Sequence, residues 1–410
     1  MRLKVKIKIF FAAVGPGLFL IGYNIGTGSI TTMAKAGAEF GMSLFWALLL
    51  SALFTYVLLV AYGQITLVTG KTALSNFKSE FKYGNILSIY ILIALIMGEI
   101  LALMGIMGIV SELVQEGFSL ISVDYNISTV WITAFFAIII FLLLWNGQYL
   151  AFEKILTIFV IIMALCFIAV FIMLKPDLLS IASGLVPQIP QKPGALQIIA
   201  AMAGTTCSAA VFIMRSTVVT EKGWTIGDLK KEKKDSLVSA SMMLFLSGII
   251  MAVAAGTLHI MGLNLESTTE MIRLFEPIGG KAAVFILILG ITGAGLSTIF
   301  PILLIAPWLV SDYTGRPRDI KSPMYRILGG IGILFAFGLE FIEQRPPAMV
   351  VFSQAFQAFI LPAVAIPVFV LINRTNIMKE HNPSKLMNFA IIAVIIFSIL
   401  TAYFAVEGIL

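Results

Sequence analysis

The chain has 410 residues, 60% of them hydrophobic and 12% charged, with a formal net charge of +6. A water-soluble domain of this size is nearer half apolar and about a quarter charged, so lipid must be the solvent for much of this surface. Two cysteines, Cys166 and Cys207, and two histidines, His259 and His381, are all the chain contains. That excludes a disulfide framework, a Cys/His zinc centre and a histidine-based triad, so neither an enzyme nor a resident cofactor is indicated.

From the N-terminus, Arg2, Lys4, Lys6 and Lys8 run directly into an apolar stretch without a small-residue cleavage site, which reads as mature protein. A helix needs about 20 apolar residues to cross the bilayer core. That ruler finds eleven spans, at roughly 10–35, 42–69, 85–113, 128–146, 152–174, 195–219, 236–261, 279–310, 323–342, 347–372 and 386–409. Cationic residues stay on the cytoplasmic side. With the N-terminus inside, the outer segments hold only Lys35, Lys175, Lys192, Arg273, Lys281 and Arg345, which leaves 21 of the 27 Lys and Arg within. The expectation is a multi-pass protein of the plasma membrane, N-terminus cytoplasmic and C-terminus outside. The basic run at 230–234 then reads as a cytoplasmic loop beside anionic headgroups, and no nucleic acid is needed to explain the charge.

Two spans are interrupted by residues that an apolar helix avoids. Span 1 contains Gly22-Tyr23-Asn24-Ile25-Gly26-Thr27-Gly28-Ser29, and span 6 contains Gly204-Thr205-Thr206-Cys207-Ser208-Ala209-Ala210. Glycine is a poor helix former, and Ser/Thr hydroxyls compete for backbone groups. Paired breaks at corresponding places in two halves point to the solute site of a secondary transporter. The expected fold is therefore all-α and integral to the membrane. Residues 1–174 form a first repeat of five spans, 195–372 a second inverted one, and 386–410 an additional helix.

The chain also resembles the natural resistance-associated macrophage protein (NRAMP) family of proton-coupled divalent-metal transporters. The resemblance lies in Gly15-Pro16-Gly17, Ala36-Gly37-Ala38-Glu39-Phe40-Gly41, Gly204, Gly295-Leu296-Ser297-Thr298, and Ser353-Gln354 with Leu361-Pro362, Ile366-Pro367 and Arg374. It implies the leucine-transporter fold and a divalent-metal substrate. The family's metal motifs differ, however. Its Asp-Pro-Gly-Asn falls on Gly26-Thr27-Gly28-Ser29, its Met-Pro-His on Ser208-Ala209-Ala210, and its second sixth-helix histidine on Arg215. No formal negative charge is left at those positions.

The candidate substrate-binding residues are Gly26, Thr27, Gly28, Ser29, Thr206, Ser208, Ala210 and Gln354. For a coupling ion, H+ or Na+, the candidates are Ser297, Thr298 and Glu99, the last being the one carboxylate away from the ends of an apolar span. Ile25-Gly26-Thr27-Gly28-Ser29-Ile30 also looks like the glycine motif of amino-acid/polyamine transporters, and glycine-rich breaks expose N–H groups that attract carboxylates. Cation-coupled uptake of a small amino acid or organic acid is therefore the alternative substrate reading, and a non-transporting membrane sensor is a further one.

Overall fold

The computed structural model describes residues 26–121, 127–146, 149–176, 178–274 and 280–408. In chain order, the principal helices are α1 (Thr27–Phe40), α2 (Phe45–Thr69), α3 (Ala73–Glu80), α4 (Gly84–Ile121) and α5 (Thr129–Asn146). They continue with α6 (Tyr149–Leu174), α7 (Ala195–Thr206), α8 (Ala209–Glu221), α9 (Leu229–Ala254) and α10 (Gly280–Thr314). The last three are α11 (Pro323–Phe335), α12 (Pro346–Ile372) and α13 (Lys385–Glu407). Among the described residues, nine helical stretches are long and apolar enough to cross a membrane. The first part of the expected span 1, including Gly15-Pro16-Gly17, lies outside the described residues, and of span 5 only Val160–Leu174 is found, as a shorter apolar helix, so the described residues supply nine of the expected eleven.

The helices present apolar groups both inward and outward, as lipid solvation requires. On α4, Ile86, Ile89, Ile93 and Met97 are exposed along one face. Elsewhere on the helix, Gly98, Gly105 and Gly108 lack the side chains that would keep α4 from Gln357, Val350 and Pro346 of α12. The same device recurs where Gly204 of α7 meets the backbone of α12, and where Gly37 of α1 meets the backbone of α9 at Met251. Two buried apolar clusters result. Ile106, Ala203 and Ala355 belong to one, Cys207, Ala210 and Leu361 to the other, and they meet where α7 gives way to α8.

The loop expected at 230–234 is the first turn of α9, not a loop. Lys230, Lys231, Lys233 and Lys234 lie toward the surface, while Glu232 and Asp235 face inward and are buried. Their partner is Arg215 of α8, itself fully buried. Its Nε and Nη2 donate to the two carboxylate oxygens of Glu232 at 3.0 and 2.7 Å, and its Nη1 to Asp235 Oδ2 at 2.6 Å. Glu232 packs directly on Gly63 of α2, so the ionic cluster ties three helices together.

Candidate functional site

The break expected in span 6 is a two-residue interruption. Cys207 leaves helical geometry (φ −104°, ψ 52°) after its N–H closes α7 on Ala203 O at 2.7 Å. Ser208 is extended (φ −69°, ψ 129°), and α8 restarts at Ala209. The freed carbonyl of Thr206 is taken up by α2, where Thr55 Oγ1 lies 2.8 Å away. Unwound backbone survives inside an apolar bundle only with such partners. In span 1, Gly26 is extended (φ −82°, ψ −174°) and α1 begins at Thr27 without a side-chain cap. The segment before Gly26 lies outside the described residues.

A small cavity opens where these two ends approach each other. Its walls are Gly26, Gly28 and Ser29 of α1, Thr205 and Ser208 at the break, and Thr298 and Ile302 of α10. Glu99, Ala102 and Ile106 of α4 and Gln354 and Gln357 of α12 complete it. Gln357 Nε2 donates to Glu99 Oε1 at 2.8 Å across the α4–α12 seam. Gly98 permits that approach, since a Cβ there would sit 3.0 Å from Gln357 Nε2. Glu99, Gln354 and Gln357 are all at least nine-tenths buried.

Several residues expected at the site lie elsewhere. Thr27 turns away from the cavity, its hydroxyl donating to Ile291 O at 3.3 Å. Thr206 contributes its carbonyl to Thr55 while its own hydroxyl is buried without a partner among the described residues. Ala210 packs in an apolar cluster beyond the break. Ser297 and Thr298 both donate to Ala294 O, at 2.8 Å each, so their hydroxyl protons are spent on their own helix, and only Thr298 borders the cavity.

The positions of the family's metal motifs carry no acidic residue, but the cavity does not lack charge. A carboxylate and two amides stand in the cavity, delivered by α4 and α12 and not by the broken segments. Sequence reasoning misses Thr205 and Gln357. The available signal is Gln354 and Gln357, three apart in a span whose only other polar residue is Ser353, hence on one helix face. The free space is ≈ 30 Å³, where roughly 10–15 Å³ admits one water. That suits an ion with little water better than it suits an amino acid.

Comparison with known proteins gives a consistent result. The family model described as "Natural resistance-associated macrophage protein-like" matches residues 17–407. The divalent metal cation transporter MntH of a Nostoc species is 25% identical over 415 residues, covering 97% of this chain and 91% of the relative. MntH of Listeria welshimeri is 25% identical over 429 residues, covering 96% and 89%. Among solved structures, a mutant of the Eremococcus coleocola manganese transporter superposes with a TM-score of 0.71 at 15% identity, covering 95% of this chain and 85% of that one. Mhp1, a nucleobase-cation-symport-1 family transporter, gives 0.60 at 12% identity, covering 96% and 92%.

Proposed function

Because the chain belongs to the natural resistance-associated macrophage protein family, we propose that it is a secondary-active transporter of divalent metal cations. The observation that carries this reading is the oxygen-lined cavity at the paired helix ends, with the Glu99 carboxylate in its wall. Relatives named as divalent metal cation transporters along nearly the whole chain support the substrate class. Residues 1–174 and 195–372 act as two inverted repeats that rock about this site, as in other transporters with interrupted helices. The bias of Lys and Arg toward one set of loops supports a cytoplasmic N-terminus and an external C-terminus in the plasma membrane. Coupling is to H+ through Glu99, or to Na+ with Thr298 contributing.

Reconstitution into liposomes with a metal-quenched dye inside tests the reading. Saturable, protein-dependent quenching by external Mn2+ is expected, stronger with an inward proton gradient. Replacement of sodium by choline discriminates between the two coupling ions. Absence of quenching beside a working NRAMP transporter would sink the proposal.

Gly28 offers a finer test. A Cβ there would lie 2.8 Å from Gln354 Nε2. Gly28→Ala should therefore displace the Gln354 side chain without disturbing any backbone. The expected result is Mn2+ uptake reduced severalfold with a melting temperature close to native. Unchanged uptake would remove Gln354 from the site.

A further inference from the structure

We propose that the cavity holds a hard divalent cation, of the Mg2+ or Mn2+ kind, through oxygen atoms alone, with Glu99 as its charged ligand and Gln357 Oε1 as a neutral one. This deepens the transport reading and rests on it. A carboxylate only accepts hydrogen bonds, so the Gln357 amide must present its nitrogen to Glu99, and the 2.8 Å contact is of that kind. The Gln357 oxygen is thereby fixed on the other side, where it is buried and meets no donor among the described residues. A buried acceptor without a donor costs stability, and a cation satisfies it where a second donor is lacking. Gln354 and Ser208 border the same space, as does Ser29, whose hydroxyl also lies 3.3 Å from Ser247 Oγ of α9. The C-terminal end of α7, whose last turn includes Thr205, carries the partial negative charge of a helix dipole.

No sulfur or imidazole is found among the described residues that line this cavity. Cys207, although it is in the break, packs into the apolar cluster around Ala210 and Leu361. Carboxylate and carbonyl donors suit Mg2+, Ca2+ and Mn2+, whereas thiolates and thioethers favour softer ions. One carboxylate with neutral oxygens also sets a modest affinity, since affinity for such ions grows with ligand charge.

The test is competition in the liposome assay, paired with calorimetric titration of Mg2+ and Cd2+ into the purified native protein. Excess Mg2+ should suppress Mn2+ uptake, and Cd2+ at equal concentration should not. Glu99→Gln should weaken cation binding by at least the roughly 10–100-fold that losing an outer-shell partner of a metal ligand costs. Gln357→Met gives a gain-of-function arm, because a thioether beside Glu99 should make Cd2+ an effective competitor. Cd2+ binding as tightly as Mn2+ to the native protein, or a Glu99→Gln variant that binds normally, would overturn the oxygen-only site while leaving transport standing. Failure of every divalent ion to bind or enter would overturn the transport reading itself.

Discussion

Replacing Arg215 by methionine is expected to be among the most damaging single changes in the molecule. Arg215 supplies three charge-assisted contacts to Glu232 and Asp235 at 2.6–3.0 Å, and all three side chains are essentially inaccessible. Methionine fills similar volume, so packing is largely kept, but two carboxylates are left facing each other away from solvent. Breaking a buried pair by removing one partner costs about 3–5 kcal/mol, because the remaining charge has no compensation. Thermal unfolding of the detergent-purified variant should show a large fall in melting temperature or no recoverable folded protein. Replacing the stranded acids by apolar residues as well, in R215M/E232M/D235L, should restore most of the loss, since well-packed apolar residues of similar volume can match a buried ion pair. A single mutant as stable as the native protein would mean that the cluster does not hold α8 to α9.

The second large effect is expected at Gly204. A Cβ on this residue would fall inside the carbonyl oxygen of Gln354 and 2.8 Å from the Ala358 nitrogen. Both neighbours are backbone atoms of α12, so no side chain can rotate away. Overpacking in a well-packed interior costs about 1–3 kcal/mol even where side chains can adjust, and here two helices have to separate. Because α12 carries Gln354 and Gln357, separation also widens the cavity. Gly204→Ala should lower both melting temperature and Mn2+ uptake, and Gly204→Val should lower them further. Gly330→Ala on α11 is the control, where the added Cβ would rest 3.7 Å from Phe141 in ordinary contact. Ala exceeds Gly in helix stability by roughly 0.5–1 kcal/mol, so that variant should be neutral or slightly stabilised. Equal behaviour of the Gly204 and Gly330 variants would refute the close-approach argument.

The break at 207–208 and the helix start after Gly26 were legible in the sequence because they are compositional. Gly, Ser and Thr clustered in the middle of an apolar span weaken the helix at that point, and the extended residues Gly26 and Ser208 fall within the expected stretches. Which side chains line the cavity was much less legible. An amphipathic helix announces its inward face, but Thr27 to Ala34 of α1 and Ala209 to Thr217 of α8 are buried all round. With no polar face to fix the phase, Thr27 and Ala210 looked as eligible as Gly28 and Ser208. Glu99 was conspicuous as a carboxylate in an apolar run, yet its position beside the breaks depends on the glycine seam between α4 and α12, a long-range contact. The start of α9 was misplaced for a different reason. A hydropathy ruler begins at the first apolar residue, whereas this helix starts in its charges, with lysines turned outward and acids turned in toward Arg215.

The small size of the cavity has a kinetic side. A divalent ion in water is surrounded by about six or more oxygens, and ≈ 30 Å³ retains about two of them as water. An ion that enters must exchange most of its hydration shell for protein oxygens on the way in and reverse the exchange on the way out. How fast each ion sheds water then adds a preference by rate to the preference that the wall sets through binding. Mg2+ dehydrates reluctantly, so it would compete for these oxygens yet cross them more slowly than Mn2+.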